Sequence, residues 1–159
     1  MKHTIICVGK IKERYFTEAI AEYRKRISRY DTIDIIEVAD EKIPKNASLA
    51  DEEHVKETEG SRIIAKIPQD SYVIGLVIEG TSYDSVGFSQ HLESLNVQGI
   101  SGVIWIIGGS LGLSQHVMGR LNERVSFSEM TFPHQLMRVI LLEQIYRACR
   151  IRAGEPYHK

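Results

Sequence analysis

The sequence predicts an α/β fold: a mainly parallel sheet covered by helices on both faces. Three observations lead there. Short apolar runs of strand length alternate with longer stretches of helical periodicity. Two of the runs, YVIGLVI (72–78) and VIWII (103–107), are apolar almost throughout, as strands covered on both faces are. A chain of 159 residues with 43% apolar content is long enough to bury one real core, so a single domain over 1–159 is expected.

The elements follow in order. Ile5–Val8, closed by Gly9, reads as a strand. Tyr15/Phe16, Ala19/Ile20, Tyr23 and Ile27 then recur at helical spacing, with Lys12, Arg14, Arg24, Lys25, Arg26 and Arg29 on the other face. TIDIIEV alternates loosely and suits a half-exposed strand near an edge. A loop carrying Pro44 leads to a weak acidic helix over Asp51–Lys66, interrupted by Gly60. After the strand at 72–78 comes a helix over Ser85–Leu95, then the strand at 103–107 ending on paired glycines. Ser114 suits the cap of a short helix to about Leu121. Arg124–Phe127 gives a last short strand. Pro133 fits the first turn of a final helix running to about Ile151, because its missing N–H costs nothing there.

Composition excludes several classes. The longest clean apolar run is far too short to span a bilayer, and the opening MKHTIICVGKIKERY, a short apolar piece followed by charges, is unlike a signal peptide. The expectation is a cytoplasmic protein with no membrane partner. Cys7 and Cys149 lie far apart without a CxxC and read as buried thiols. His3, His54, His91, His116 and His134 show no ligand spacing, so no metal is expected. Net charge is −1, but unevenly spread. Residues 1–30 hold 8 Lys and Arg against 3 Asp and Glu; residues 31–60 hold 3 against 10. Five arginines, at 124, 138, 147, 150 and 152, sit near the end. A nearly neutral chain can still present a basic face to nucleic acid. The acidic segment 31–59 suggests no role.

Ligands of such sheets bind beyond the carboxyl ends of the strands. Three of those ends are chemically unusual: Leu76–Gly80, Gly108–Gly112 and Phe127–Phe132. GGSLGLS (108–114) lets backbone approach a ligand closely, but it lacks both the dinucleotide spacing and the lysine of a phosphate loop. A nicotinamide-dependent enzyme is therefore a poor fit. SFSEMTFPHQ (126–135) is small and nearly uncharged, where a simple connector would hold Gly, Asn, Asp and Lys. It runs into a helix that is apolar nearly all round, from Leu136 to Cys149. Such a helix is either central or covered by a partner, and as a final helix it is a candidate homodimer interface. Glu143 and Arg147 are spaced for an i,i+4 pair on the remaining face.

IIGGSLGLS, SFSEMTFPHQLMRVILLEQIYRA and the terminal PYHK, with the opening VGKIKERY and EYRKRI, resemble the bacterial ribosomal RNA large-subunit methyltransferase H family, of the SPOUT class. The resemblance covers essentially the whole chain. It implies a C-terminal trefoil knot, although general chain rules count against knots. It implies S-adenosylmethionine as methyl donor, held at Leu76, Gly108, Phe127, Ser128, Glu129, Met130, Thr131 and Phe132, with Met130 and Phe132 as apolar walls. Leu111 and Glu129 depart from the family's usual pattern. The implied reaction is methyl transfer to N3 of a pseudouridine in 23S ribosomal RNA of the ribosome. His158 and Tyr157 are then candidates for placing the base or assisting proton loss, and Arg138 for contacting phosphate or the target base. A homodimer in which one tail completes the other subunit's pocket is also implied. The alternative from another class is a non-catalytic ribosome-binding factor that keeps the fold.

Overall fold

A computed structural model describes residues 1–159. The chain alternates strands and helices: β1 (Lys2–Val8), α1 (Arg14–Ile27), β2 (Thr32–Val38), α2 (Leu49–Ile64), β3 (Tyr72–Ser82), α3 (Ser85–Val97), β4 (Gly102–Ile107), α4 (Gln115–Arg120), β5 (Glu123–Ser126) and α5 (His134–Arg152). The five strands form one sheet in the order β2-β1-β4-β3-β5, and every pairing is parallel. This is the covered parallel sheet that the continuous apolar strands predict.

Period-two alternation divides the core into two layers. Ile5, Cys7, Val103, Trp105, Ile107 and Ile74 face one side, with Ile27 of α1, Phe88 and Leu92 of α3, and Leu141, Leu142 and Ile145 of α5. Ile6, Val8, Ile104, Ile106 and Val73 face the other, with Ile63 of α2 and Val117 of α4. The crossovers keep one hand. The steps β1 to β2 and β3 to β4 move toward the β2 edge and carry α1 and α3 on one face. The steps β2 to β3 and β4 to β5 move the opposite way and carry α2 and α4 on the other.

β2 lies at an edge, as its loose alternation predicts. Ser114 caps α4 by accepting from Val117 N–H at 3.3 Å. α2 begins earlier than its sequence suggests, because Ser48 and Asp51 form a capping box, and it runs unbroken through Gly60. β3 extends to Ser82. Its ladder with β5 shifts between Leu76 and Thr81, both of which pair with Val125, so residues 77–80 leave the register. Gly80 permits this, since a Cβ there would lie 2.5–2.7 Å from the backbone of Val125 and Ser126.

α5 is a central helix. It packs between α1 and α3, and Leu141, Leu142 and Ile145 are fully buried. Much of its apolar girth is therefore used within the chain. Leu136, Val139 and Ile140 are left half-buried along an outer stripe.

Candidate functional site

The sheet order makes neighbours of the three unusual strand ends. β4, β3 and β5 are adjacent, so Gly108, Leu76 and Phe127 stand side by side at the carboxyl edge. The end of β1 is next beyond β4. The chain leaves β5 at one edge and starts α5 over the end of β1. His134 sits against Gly9, and Arg138 donates to the Val8 and Gly9 carbonyls at 2.9 and 2.6 Å. Residues 127–133 thus strap across the ends of β3 and β4, a span of three strand spacings, about 14 Å. That geometry accounts for a loop that is small and nearly uncharged.

The strap is poor in internal bonds. Met130 N–H donates to Ser128 Oγ at 3.0 Å, and Ser126 Oγ donates to the Ser128 carbonyl at 3.1 Å. The backbone groups of Phe127, Glu129, Thr131 and Phe132 have no partner in the chain. Half-buried Leu76, Phe127 and Phe132 supply apolar walls, with Phe127 edge-on to Phe88 at 5.8 Å. Unpaired backbone beside apolar walls suits the adenine and methionine ends of a methyl donor. Met130 does not share in the walls within one chain: it is 72% exposed, because no neighbouring element covers the middle of the strap. Glu129 and Thr131 are also exposed. Two cavities, of about 440 and 520 Å³, are bounded neither by Gly108 nor by residues 127–132, although the first reaches Glu79 and Gly80 of β3.

Gly108 has a structural reason of its own. A Cβ there would meet Leu113 Cδ2 at 2.9 Å and the Gly112 carbonyl carbon at 3.1 Å, so a side chain would make Leu113 move and the Gly112 backbone give by a few tenths of an ångström. Beneath it, the buried Glu59 carboxylate would stand 2.8 Å from a Cβ on Gly109 and accepts from Glu41 N–H at 3.1 Å. Burial raises its pKa. Nothing in the sequence marks Glu59, which reads as one more charge on an acidic helix.

Arg138 differs most from its sequence reading. It is 1% exposed, with one guanidinium nitrogen on Glu37 at 2.7 Å, another on the Val8 and Gly9 carbonyls, and a buried Nε without a partner. A group so committed does not reach out to phosphate or base. It bolts the first turns of α5 to the end of β1. His134 lies 3.5 Å from it, with a pKa lowered by burial and by the Arg138 charge.

Tyr157 and His158 are placed elsewhere. Tyr157 is half-buried, edge-on to Tyr146 at 4.9 Å, and its hydroxyl donates to Glu143 at 3.1 Å. The Arg147 guanidinium covers the Tyr157 ring at 4.7 Å, pairs with Glu143 at 2.7 Å and reaches His158 Nδ1 at 3.3 Å. That contact makes Nδ1 the acceptor. Burial and the Glu143 charge push the Tyr157 hydroxyl up to about 12, so it is a donor at neutral pH. Arg147 lies 13 residues beyond His134, about 20 Å along the helix. Within one chain the tail cluster and the strap are therefore apart. Sequence spacing gives the Glu143–Arg147 pair but not its union with the tail, which needs the chain to turn back after Arg152. Both cysteines are buried and unpaired. No three His, Cys, Asp or Glu side chains cluster as metal ligands. No helix is long and apolar enough to cross a membrane.

A family model described as "Predicted SPOUT methyltransferase" matches residues 1–158. Curated proteins named ribosomal RNA large subunit methyltransferase H align over all 159 residues and over their own full length. Those of Clostridium novyi, Listeria monocytogenes and Streptococcus uberis are 55%, 54% and 52% identical. Among solved structures, a probable methylase family protein from Haemophilus influenzae superposes with a TM-score of 0.51 at 10% identity. It covers 99% of this chain and 70% of that one, a likeness of fold alone.

Proposed function

The chain belongs to the ribosomal RNA large subunit methyltransferase H family of the SPOUT methyltransferases, and from that premise we propose that it methylates N3 of a pseudouridine in 23S ribosomal RNA, using S-adenosylmethionine. The observation that carries the donor site is the strap with unpaired backbone laid over three adjacent strand ends. Leu76, Phe127 and Phe132 would hold the donor's apolar surfaces. Gly108 and the backbone of residues 128–131 would take its polar edges. Bound there, S-adenosylmethionine supplies a methyl group already activated on a sulfonium sulfur. Residues 1–159 act as one domain, and membership of the family implies a trefoil knot in the C-terminal half.

The remaining task is to align the base and remove the N3 proton. Arg147 offers its guanidinium to the anionic edge that the base acquires as N3 loses its proton. As Arg147 turns from His158 to the base, Nδ1 of His158 is freed to take that proton, and Tyr157, held protonated, fixes the tail against Glu143. Because the tail cluster lies about 20 Å along α5 from the strap, it serves the strap of a second copy. The half-buried stripe of Leu136, Val139 and Ile140 supports a homodimer built on α5. Arg138 is a positioning residue that fixes where α5 begins. The exposed basic face of α1 fits ribosomal phosphate, and its contribution should weaken steeply with salt.

The test is calorimetric titration with S-adenosylmethionine, followed by methyl transfer to ribosomes. Phe132→Ala is the better probe variant than a bulky replacement of Gly108, which would disrupt the loop itself. A mixed dimer of Phe132→Ala and His158→Ala chains should recover activity that neither homodimer has. A strictly monomeric active variant would sink the shared site. Ribosome binding without donor binding would favour the non-catalytic binding factor.

A further inference from the structure

We propose that Tyr15, framed by Lys12 and Arg14, is a stacking platform for an unpaired nucleotide of the RNA substrate; this rests on the RNA-methylation reading above. Helical spacing puts Tyr15 in the apolar stripe of α1, but the structure does not. Ile20, Tyr23 and Ile27 turn inward and Phe16 is half-buried, whereas Tyr15 is 63% exposed. Its ring leans on Phe16 at 4.5 Å, tilted by 57°. A core role does not account for an aromatic there.

Its surroundings point to nucleic acid. Lys10, Lys12 and Arg14 are exposed close to it in the chain, interspersed with exposed Glu13 and Glu18. Arg14 pairs only with Glu18, an exposed i,i+4 contact that solvent screens. The loop before Tyr15 is held at the site's rim: Ile11 N–H donates to Glu37 at 3.0 Å, and Lys12 N–H to Gln135 at 3.2 Å. Gln135 lies in the first turn of α5, directly after the strap. An exposed ring among cations, fixed beside a donor site, matches how single-stranded nucleic acid is held: a base stacks on the ring while cations meet the flanking phosphates.

Methyl transfer to ribosomes from a strain lacking this modification, with a radiolabelled donor, tests the proposal. Tyr15→Ala should raise KM for ribosomes roughly tenfold, with kcat and calorimetric donor affinity held. Tyr15→Phe, which keeps the ring, should restore the wild-type KM. Joint replacement of Lys12 and Arg14 by Ala should reduce the salt dependence of log KM by about two. An unchanged KM in Tyr15→Ala, or a Tyr15→Phe variant as impaired as Tyr15→Ala, overturns the platform. A wild-type chain that transfers no methyl group to ribosomes overturns the underlying reading, and the platform with it.

Discussion

The two ends of α5 are built on opposite principles. At its carboxyl end, Cys149 and Arg152 meet the buried Asp31 carboxylate at 3.4 and 3.1 Å. His3 and the Met1 α-ammonium complete the ring of partners, and Trp105 Nε1–H donates to the other His3 nitrogen at 3.1 Å. Burial alone would raise the Asp31 pKa, but hydrogen bonds from His3 and the α-ammonium, with Arg152 nearby, hold it well below the usual carboxylate range. At the amino end, the strap has backbone that no other part of the chain claims and an exposed Met130. A polar network closed within the chain makes one end rigid, while solvent-accessible backbone at the other is open to a ligand.

Four experiments probe that contrast, from the largest expected effect to the smallest. Asp31→Asn leaves buried cationic partners uncompensated and should cost about 3–5 kcal/mol in urea unfolding, with donor affinity of the folded protein preserved. Arg138→Ala strands the Val8 and Gly9 carbonyls and should cost about 3 kcal/mol. It should also weaken donor binding, because the start of α5 loses its anchor. Equal donor affinity in this variant would mean that the strap is placed without it. Phe132→Ala should weaken donor binding by about 10-fold or more, while the urea midpoint barely moves. A large loss of stability would instead make Phe132 a core residue.

The smallest effect is a pH dependence. Burial lowers the His3 pKa from its ordinary 6.5, with Asp31 opposing only in part, and burial and Arg138 lower that of His134. Below about pH 6.5 the unfolded chain takes up protons that the folded chain refuses. Stability from both groups is therefore full above that value and declines as pH falls, by at most about 1.4 kcal/mol per unit for each histidine. His134→Asn should remove only the part belonging to the donor end. A decline that vanishes in His134→Asn would show that His3 is protonated in the folded state.

Periodicity and apolar runs determined much of this protein by themselves. The parallel sheet, its edge strand at TIDIIEV, the Ser114 cap and the long last helix follow from residue order, because burial on one or two faces leaves a pattern in the sequence. The peptide motifs determined the family and singled out three strand ends, which the sheet order then makes neighbours. Tertiary structure decided the rest. Arg138 reads as a surface cation until α5 is laid over the end of β1, where backbone carbonyls claim it. Tyr15 reads as core until the packing against α5 uses the neighbouring face. Glu59 and the union of Arg147, Tyr157 and His158 depend on contacts between distant segments. The physical reason is common to all of them. Periodicity encodes how much of a face is buried, but not which groups from elsewhere in the chain meet it.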